Sequence, residues 1–213
     1  MKQFAILFIA ACALSVRASG LESLEIFVRT VKTGRADFTQ VVTSPPMQGQ
    51  VPRVKTSTGT FEFARPSRFR FVYKKPFEQS IVADGQTLWL YDVDLNQVTA
   101  RKQSQVLGST PASLIAATPD LRALQADFTL VDAPDKDGLQ WVAASPKSRD
   151  GQLQSVRVGF RVGVKVADLA VLEILDSFGQ RSVLTFSAFQ ANASLDANSF
   201  EFRPPPKADV IRQ

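Results

Sequence analysis

The chain has 213 residues, with 25 Lys and Arg against 20 Asp and Glu, a net charge of +5, and 45% hydrophobic residues, which is the profile of a globular chain long enough to bury a core. It contains no histidine and one cysteine, Cys12, so histidine acid–base chemistry, His or Cys metal centres and a disulfide framework are set aside. Sixteen Phe stand beside two Tyr and two Trp, a balance that favours fully apolar burial of rings over rings with a polar end.

Lys2 opens a charged start and Phe4 to Val16 form an apolar run too short to cross a bilayer. Residues 1–18 read as a cleaved secretory signal peptide, with Val16-Arg17-Ala18 before the cut, and residues 19–213 as a single domain. Ile9-Ala10-Ala11-Cys12 loosely imitates the box before a lipid-modified cysteine, the competing reading. Without Lys2 and Arg17 the net charge falls to +3, too mild to imply a nucleic-acid partner.

Ser19 and Glu22 have the spacing of a capping box, and Leu21, Leu24, Phe27, Val28 and Val31 follow a helical stripe that Gly34 is expected to close. The period then changes to two. Phe61 and Phe63 share a face, as do Phe69, Phe71 and Tyr73 after Pro66. Strands are expected over Ile81 to Ala83, Leu88 to Val93, Val98 to Arg101, Phe128 to Val131, Leu139 to Ala143, Val156 to Val162, Leu169 to Leu175, Val183 to Phe189 and Phe200 to Phe202. Asp84-Gly85, Asp137-Gly138 and Gly179-Gln180 mark hairpin turns. A second helical patch runs from Thr110, as N-cap, and Pro111 to Ala117, with a further turn after Pro119. Ser44 to Lys55 reads as a Pro-rich loop, and Pro204-Pro205-Pro206 as the end of the last strand. About ten strands joined by tight turns make one antiparallel sheet, and a sheet of that size must curl.

No catalytic motif is written here. The chain lacks a phosphate-binding glycine loop, a nucleophile elbow and paired cysteines. Asp92, Asp94 and Asn96 resemble the start of a calcium loop, but Gln97 replaces the required glycine and Gln103 the closing glutamate. Asn192-Ala193-Ser194 fits a glycosylation pattern that has meaning only in a eukaryotic secretory route. What remains is apolar surface: Phe61, Phe63, Phe69, Phe71, Leu88, Leu90, Val156, Val158 and Phe160 on period-two faces. On pattern alone, a curled sheet either fills its interior with these side chains or leaves a cavity under the two helical pieces.

Several runs resemble the LolA family of periplasmic lipoprotein carriers. They are Phe38-Thr39-Gln40, Gly59-Thr60-Phe61, Arg65-Pro66-Ser67-Arg68-Phe69-Arg70-Phe71, Ile81 to Tyr91, Gln97-Val98-Thr99, Gly108-Ser109-Thr110-Pro111-Ala112, Pro146-Lys147-Ser148, Asp176 to Arg181 and Phe200 to Pro205. In order, they cover nearly the whole chain beyond the leader.

The resemblance implies a mainly β fold with few helices (α+β): an unclosed, strongly curved antiparallel β-barrel of about ten to eleven strands, a helical lid and an apolar cavity between. It implies a non-enzymatic monomer, free of cofactor and metal, that takes lipoprotein acyl chains from an inner-membrane ABC-type release complex to an outer-membrane receptor. Arg65 matches the family arginine that latches the lid, and Phe69 the phenylalanine needed for accepting cargo. Leu114 and Ile115 would touch cargo from the lid. Phe71 stands where Trp is frequent, Ser44 to Lys55 lengthens a connection, and the C-terminal extension of some members is not matched. The alternatives within this resemblance are a receptor of the same fold anchored through Cys12 and a periplasmic lipoprotein-sensing domain.

Overall fold

The computed structural model describes residues 19–46, 50–106, 113–117, 120–148, 151–163 and 167–213. The expected leader, its rival lipid site at Cys12, and the expected helix start at Thr110 to Ala112 lie outside these residues.

Helix α1 spans Gly20–Thr30, and the Ser19 hydroxyl accepts the Glu22 N–H at its start, as the capping pattern predicts. Leu24, Phe27 and Val28 form its buried face. The helix ends at Val31, whose N–H bonds to the Phe27 carbonyl. Gly34, expected to close the helix, instead lies in the first strand. A Cβ there would come within 2.4 Å of the Phe63 ring, so the missing side chain is what lets that ring sit against the backbone.

Twelve strands form one sheet. Six belong to the first half: β1 (Thr33–Ser44), β2 (Arg53–Ala64), β3 (Arg68–Lys75), β4 (Gln79–Ala83), β5 (Thr87–Asp92) and β6 (Gln97–Lys102). The second half contributes β7 (Phe128–Lys136), β8 (Leu139–Pro146), β9 (Leu153–Val162), β10 (Ala167–Asp176), β11 (Arg181–Ala191) and β12 (Asp209–Arg212). Their order is β12-β6-β5-β4-β3-β2-β1-β11-β10-β9-β8-β7, with β12 and β7 at opposite ends, so the sheet is unclosed. Between the halves, short helix α2 (Gln103–Val106), a π-helical turn at Ser113–Ala117 and α3 (Leu121–Asp127) cross over. Asp120 caps α3 through the Ala123 N–H, which makes a helix of the turn expected after Pro119.

The expected antiparallel sheet of ten to eleven strands is corrected on two counts. It has twelve strands, and β12 pairs parallel with β6, so it is mixed. Pro204 to Pro206 do not end the last strand, because β12 follows them. Phe200 to Phe202 is not a strand. Its alternation comes from packing over the sheet's outer face, where Arg68 lies 5.5 Å from the Phe200 ring and Trp89 5.3 Å from Phe202. Ser44 and Arg53 to Lys55, read as loop, extend the β1–β2 ladder, with Ser44 opposite Arg53.

Expected turns form for local reasons. Gly85, Gly138 and Gly179 all have positive φ. The Asp84 carboxylate accepts the Gln86 and Thr87 N–H groups and the Trp89 indole N–H. Partial burial raises its pKa, but these donors outweigh that and hold it below the usual carboxylate value.

The Phe27 ring shows how strongly the sheet curves. It lies 5.9 Å from Phe63 on β2 and 5.4 Å from Phe160 on β9, four ladder steps apart, which on a flat sheet would separate them by about 19 Å. The sheet therefore wraps α1, which packs against β7 to β10. Its N-terminus is pinned by the Asp132 carboxylate, which accepts the Leu21 N–H at 2.8 Å, and by Ser23, which donates to the buried Gln140 side chain. At Gly20 a Cβ would fall 1.9 Å from the Trp141 carbonyl oxygen. Gly20→Ala is therefore expected to push α1 off β8 at a cost of about 1–3 kcal/mol. A thermal midpoint equal to wild type would contradict this packing.

Candidate functional site

The inner face of the first half of the sheet is built in rows fixed by strand register. Phe63, Phe69, Ala83 and Leu88 stand opposite one another across β2 to β5, and Phe61, Phe71, Ile81 and Leu90 form the next row. Period-two alternation brings the rings to one side. Phe61 and Phe71 stack at 4.3 Å, Phe69 meets Phe71 edge-on at 6.0 Å, and Phe38 meets Phe71 edge-on at 5.6 Å. Gly59 makes room for Phe38, since a Cβ there would lie 2.8 Å from its ring.

Of the residues expected to line a cargo site, Phe61, Phe63, Phe69, Phe71, Leu88, Leu114, Ile115, Val156, Val158 and Phe160 belong to one continuous buried cluster. Val156, Val158 and Phe160 are on β9, within the half of the sheet that seats α1. Leu90 departs from the expectation: it has the right parity but is 37% exposed and lies outside the cluster. The row ends there, partly open to solvent. Sequence reasoning did not single out Phe38, Phe186 and Phe189 as lining, although each is packed into this cluster or against it. Phe38 and Phe186 alternate on period two and were open to detection.

These rings fill the concavity with one another. Among the described residues, this face is buried under its own side chains.

Arg65 sits in the tight turn between β2 and β3. Its Nε donates to the Val31 carbonyl at 2.9 Å and its backbone N–H to the Lys32 carbonyl at 2.8 Å. Its guanidinium lies 5.2 Å from the Phe27 ring and 5.4 Å from Phe63, within cation–π range. Burial lowers its pKa to about 10, which leaves it a cation at neutral pH. The helix end it holds is that of α1. The neighbouring Ser67 N–H donates to the Ala116 carbonyl at 2.9 Å and so ties down the Ser113–Ala117 turn, whose Leu114, Ile115 and Ala116 are buried in the cluster.

Two further residues hold this end of the molecule, and sequence reasoning gave them no such role. The buried Gln103 side chain donates to the Ser67 carbonyl and accepts the Gly85 N–H. Asn192, read from sequence only as a glycosylation pattern, accepts the Lys32 N–H and donates to the Thr30 carbonyl, closing the C-terminus of α1. Neither carries a local signal, because their partners are distant in sequence.

Above the aromatic rows the inner face turns polar. Tyr73 meets Phe38 edge-on at 5.0 Å, and burial raises its hydroxyl pKa to about 12. Gln40 stands opposite Ser57, and its Nε2 donates to the Ser182 hydroxyl at 2.7 Å. Among the described residues no three His, Cys, Asp or Glu are grouped to hold a metal ion, and no helix is long and apolar enough to cross a membrane.

A family profile described as outer membrane lipoprotein carrier protein LolA matches residues 29–203. A protein named outer-membrane lipoprotein carrier protein from Albidiferax ferrireducens is 76% identical over 213 residues, covering all of both chains. One of the same name from Leptothrix cholodnii is 52% identical over 93% of this chain and 88% of its own. Among solved structures, an uncharacterized conserved protein from Thermus thermophilus is 14% identical, with a TM-score of 0.52 over 91% of this chain and 96% of that one. That likeness concerns the fold alone.

Proposed function

Because this chain belongs to the LolA family of outer-membrane lipoprotein carrier proteins, we propose that residues 19–213 act as one periplasmic unit that shelters lipoprotein acyl chains and delivers them to the outer membrane. The observation that carries this reading is a continuous phenylalanine-lined inner face, with the Ser113–Ala117 turn laid against it and joined to the β2–β3 turn through the Ser67 N–H.

Cargo enters when the Ser113–Ala117 turn lifts and the rings part, which makes an apolar cavity of the space they occupy when empty. Phe61, Phe63, Phe69, Phe71 and Leu88 then form its wall, with Val156, Val158 and Phe160 behind α1, Leu90 at its open margin and Leu114 and Ile115 on the moving cover. Arg65 is the latch through the β2–β3 turn, which it fixes to the end of α1 and whose Ser67 holds the Ser113–Ala117 turn; Phe69 is the first ring uncovered, since β3 packs against that turn. Burying one acyl chain of a dozen methylenes is worth about 10 kcal/mol, so an open site would hold cargo too well. Free energy that the closed empty state gains from its own packing is subtracted from apparent cargo affinity.

An inner-membrane ABC-type release complex is the donor in this scheme and an outer-membrane lipoprotein receptor the acceptor. No catalytic step is involved. Purified protein added to spheroplasts is expected to bring lipoproteins into the supernatant as a soluble complex. Lipoproteins that stay with the membrane at every protein concentration would overturn the proposal.

A further inference from the structure

The inner face is zoned along the strand direction. On β2 it runs Phe63, Phe61, Gly59, Ser57; on β1, Ala36, Phe38, Gln40; on β11, Phe186, Leu184, Ser182. The rings occupy the end near Arg65, and the polar groups lie on three adjacent strands at the other end, bordered by Val42 on β1 and by Leu172 and Ile174 on β10. Ser57 and Ser182 are 9% and 8% exposed. Groups placed merely to meet water would not be that deeply covered, and a sheet packed only for stability would continue the apolar rows.

We propose that Gln40, Ser57 and Ser182 form a collar that hydrogen-bonds the ester carbonyls joining acyl chains to their glycerol. The inference rests on the carrier reading above and adds to it the part of the lipid that is recognised. The donors suit such a role, since the Gln40 amide carries two N–H groups and each serine one rotatable O–H. In the empty protein the Gln40 amide donates to the Ser182 hydroxyl, so that pair is satisfied until cargo arrives. The distance also suits it. From Ser57 to Phe63 the strand advances about 20 Å, the reach of an extended chain of about sixteen carbons at ordinary C–C lengths and angles. A tail laid along the rings therefore places its carbonyl at the collar.

The test compares dipalmitoylglycerol with dihexadecylglycerol, its diether analogue, which lacks the carbonyls, as competitors for a fluorescent fatty-acyl probe. Wild-type protein is expected to prefer the diester about tenfold, the value of one or two well-made hydrogen bonds. Gln40→Leu and the Ser57→Ala, Ser182→Ala pair are each expected to bring diester affinity down to the diether level. These changes nearly preserve side-chain size, and using two independent variants guards against one that misfolds. Equal binding of the two lipids by wild type, or a preference that survives in both variants, overturns the collar and leaves the carrier reading standing. Failure of wild type to bind the probe or either lipid overturns the carrier reading as well.

Discussion

Arg65→Leu is expected to keep loading and lose unloading. The substitution removes the donor that satisfies the Val31 carbonyl and a cation held between the Phe27 and Phe63 rings. Leucine fills part of the space, and the desolvation that depresses the arginine's pKa disappears with the charge, so the full value of a buried ionic contact is not lost. The buried carbonyl is left without its partner, at a cost of about 2 kcal/mol. That loss falls on the closed empty state, and the same free energy appears as tighter retention of cargo, about thirtyfold at 25 °C. A purified two-protein assay, loaded carrier mixed with outer-membrane receptor, reads this directly. Transfer at the wild-type rate and yield would remove Arg65 from the latch.

Phe69→Glu is expected to abolish loading. Phe69 is 2% exposed, opposite Phe63 and Ala83, on the strand that meets the Ser113–Ala117 turn. A carboxylate there stands among apolar rings, and Arg65, the cation that lies against the facing Phe63, is already engaged by the Val31 carbonyl. The carboxylate must either be buried at a cost of several kcal/mol or turn outward and prop the cover open. Spheroplast release by this variant should fall to background. Phe69→Leu, which keeps the site apolar and costs about 1–2 kcal/mol for the small cavity it leaves, separates the effect of charge from that of a damaged fold and should release lipoprotein nearly as wild type does. Wild-type release by a folded Phe69→Glu protein would show that cargo never meets this ring.

The two outcomes differ because the residues act on opposite sides of one balance. In the proposed scheme Arg65 favours the empty form, so its loss leaves cargo bound, whereas Phe69 belongs to the surface that cargo would cover, so a charge there makes the loaded form unfavourable whatever the latch does.

Much of this arrangement is legible in the residues. The α1 stripe and its Ser19 cap, and the alternating phenylalanines of β2 and β3, follow from local periodicity that tertiary packing leaves undisturbed. β1 is harder to see because Thr, Arg, Asp, Gln and Ser fill most of it, and only Ala36 and Phe38 betray the alternation. β12 carries no signal: four residues after a proline run pair parallel with a strand more than one hundred positions earlier, a choice made by the far edge of the sheet and not by local propensity. Phe200 to Phe202 misleads for the opposite reason, since alternation there reflects packing over Arg68 and Trp89 without a ladder. In the site, parity assigned the inner face correctly but could not tell depth, which is why Leu90 reads like Leu88 and ends in solvent. Gln103 and Asn192 are invisible in principle, because a side chain that holds distant backbone is specified by geometry the chain acquires only on folding.

The closure of α1 by Asn192 spans 160 residues, and the strands that seat this helix begin only at Phe128. The helix is made first and completed last. In a chain made from its N-terminus, the leading segment has nothing to bury its greasy stripe until most of the remaining length has followed. Such an order delays compaction. The sticky interior is thus acquired only when the second half of the sheet arrives.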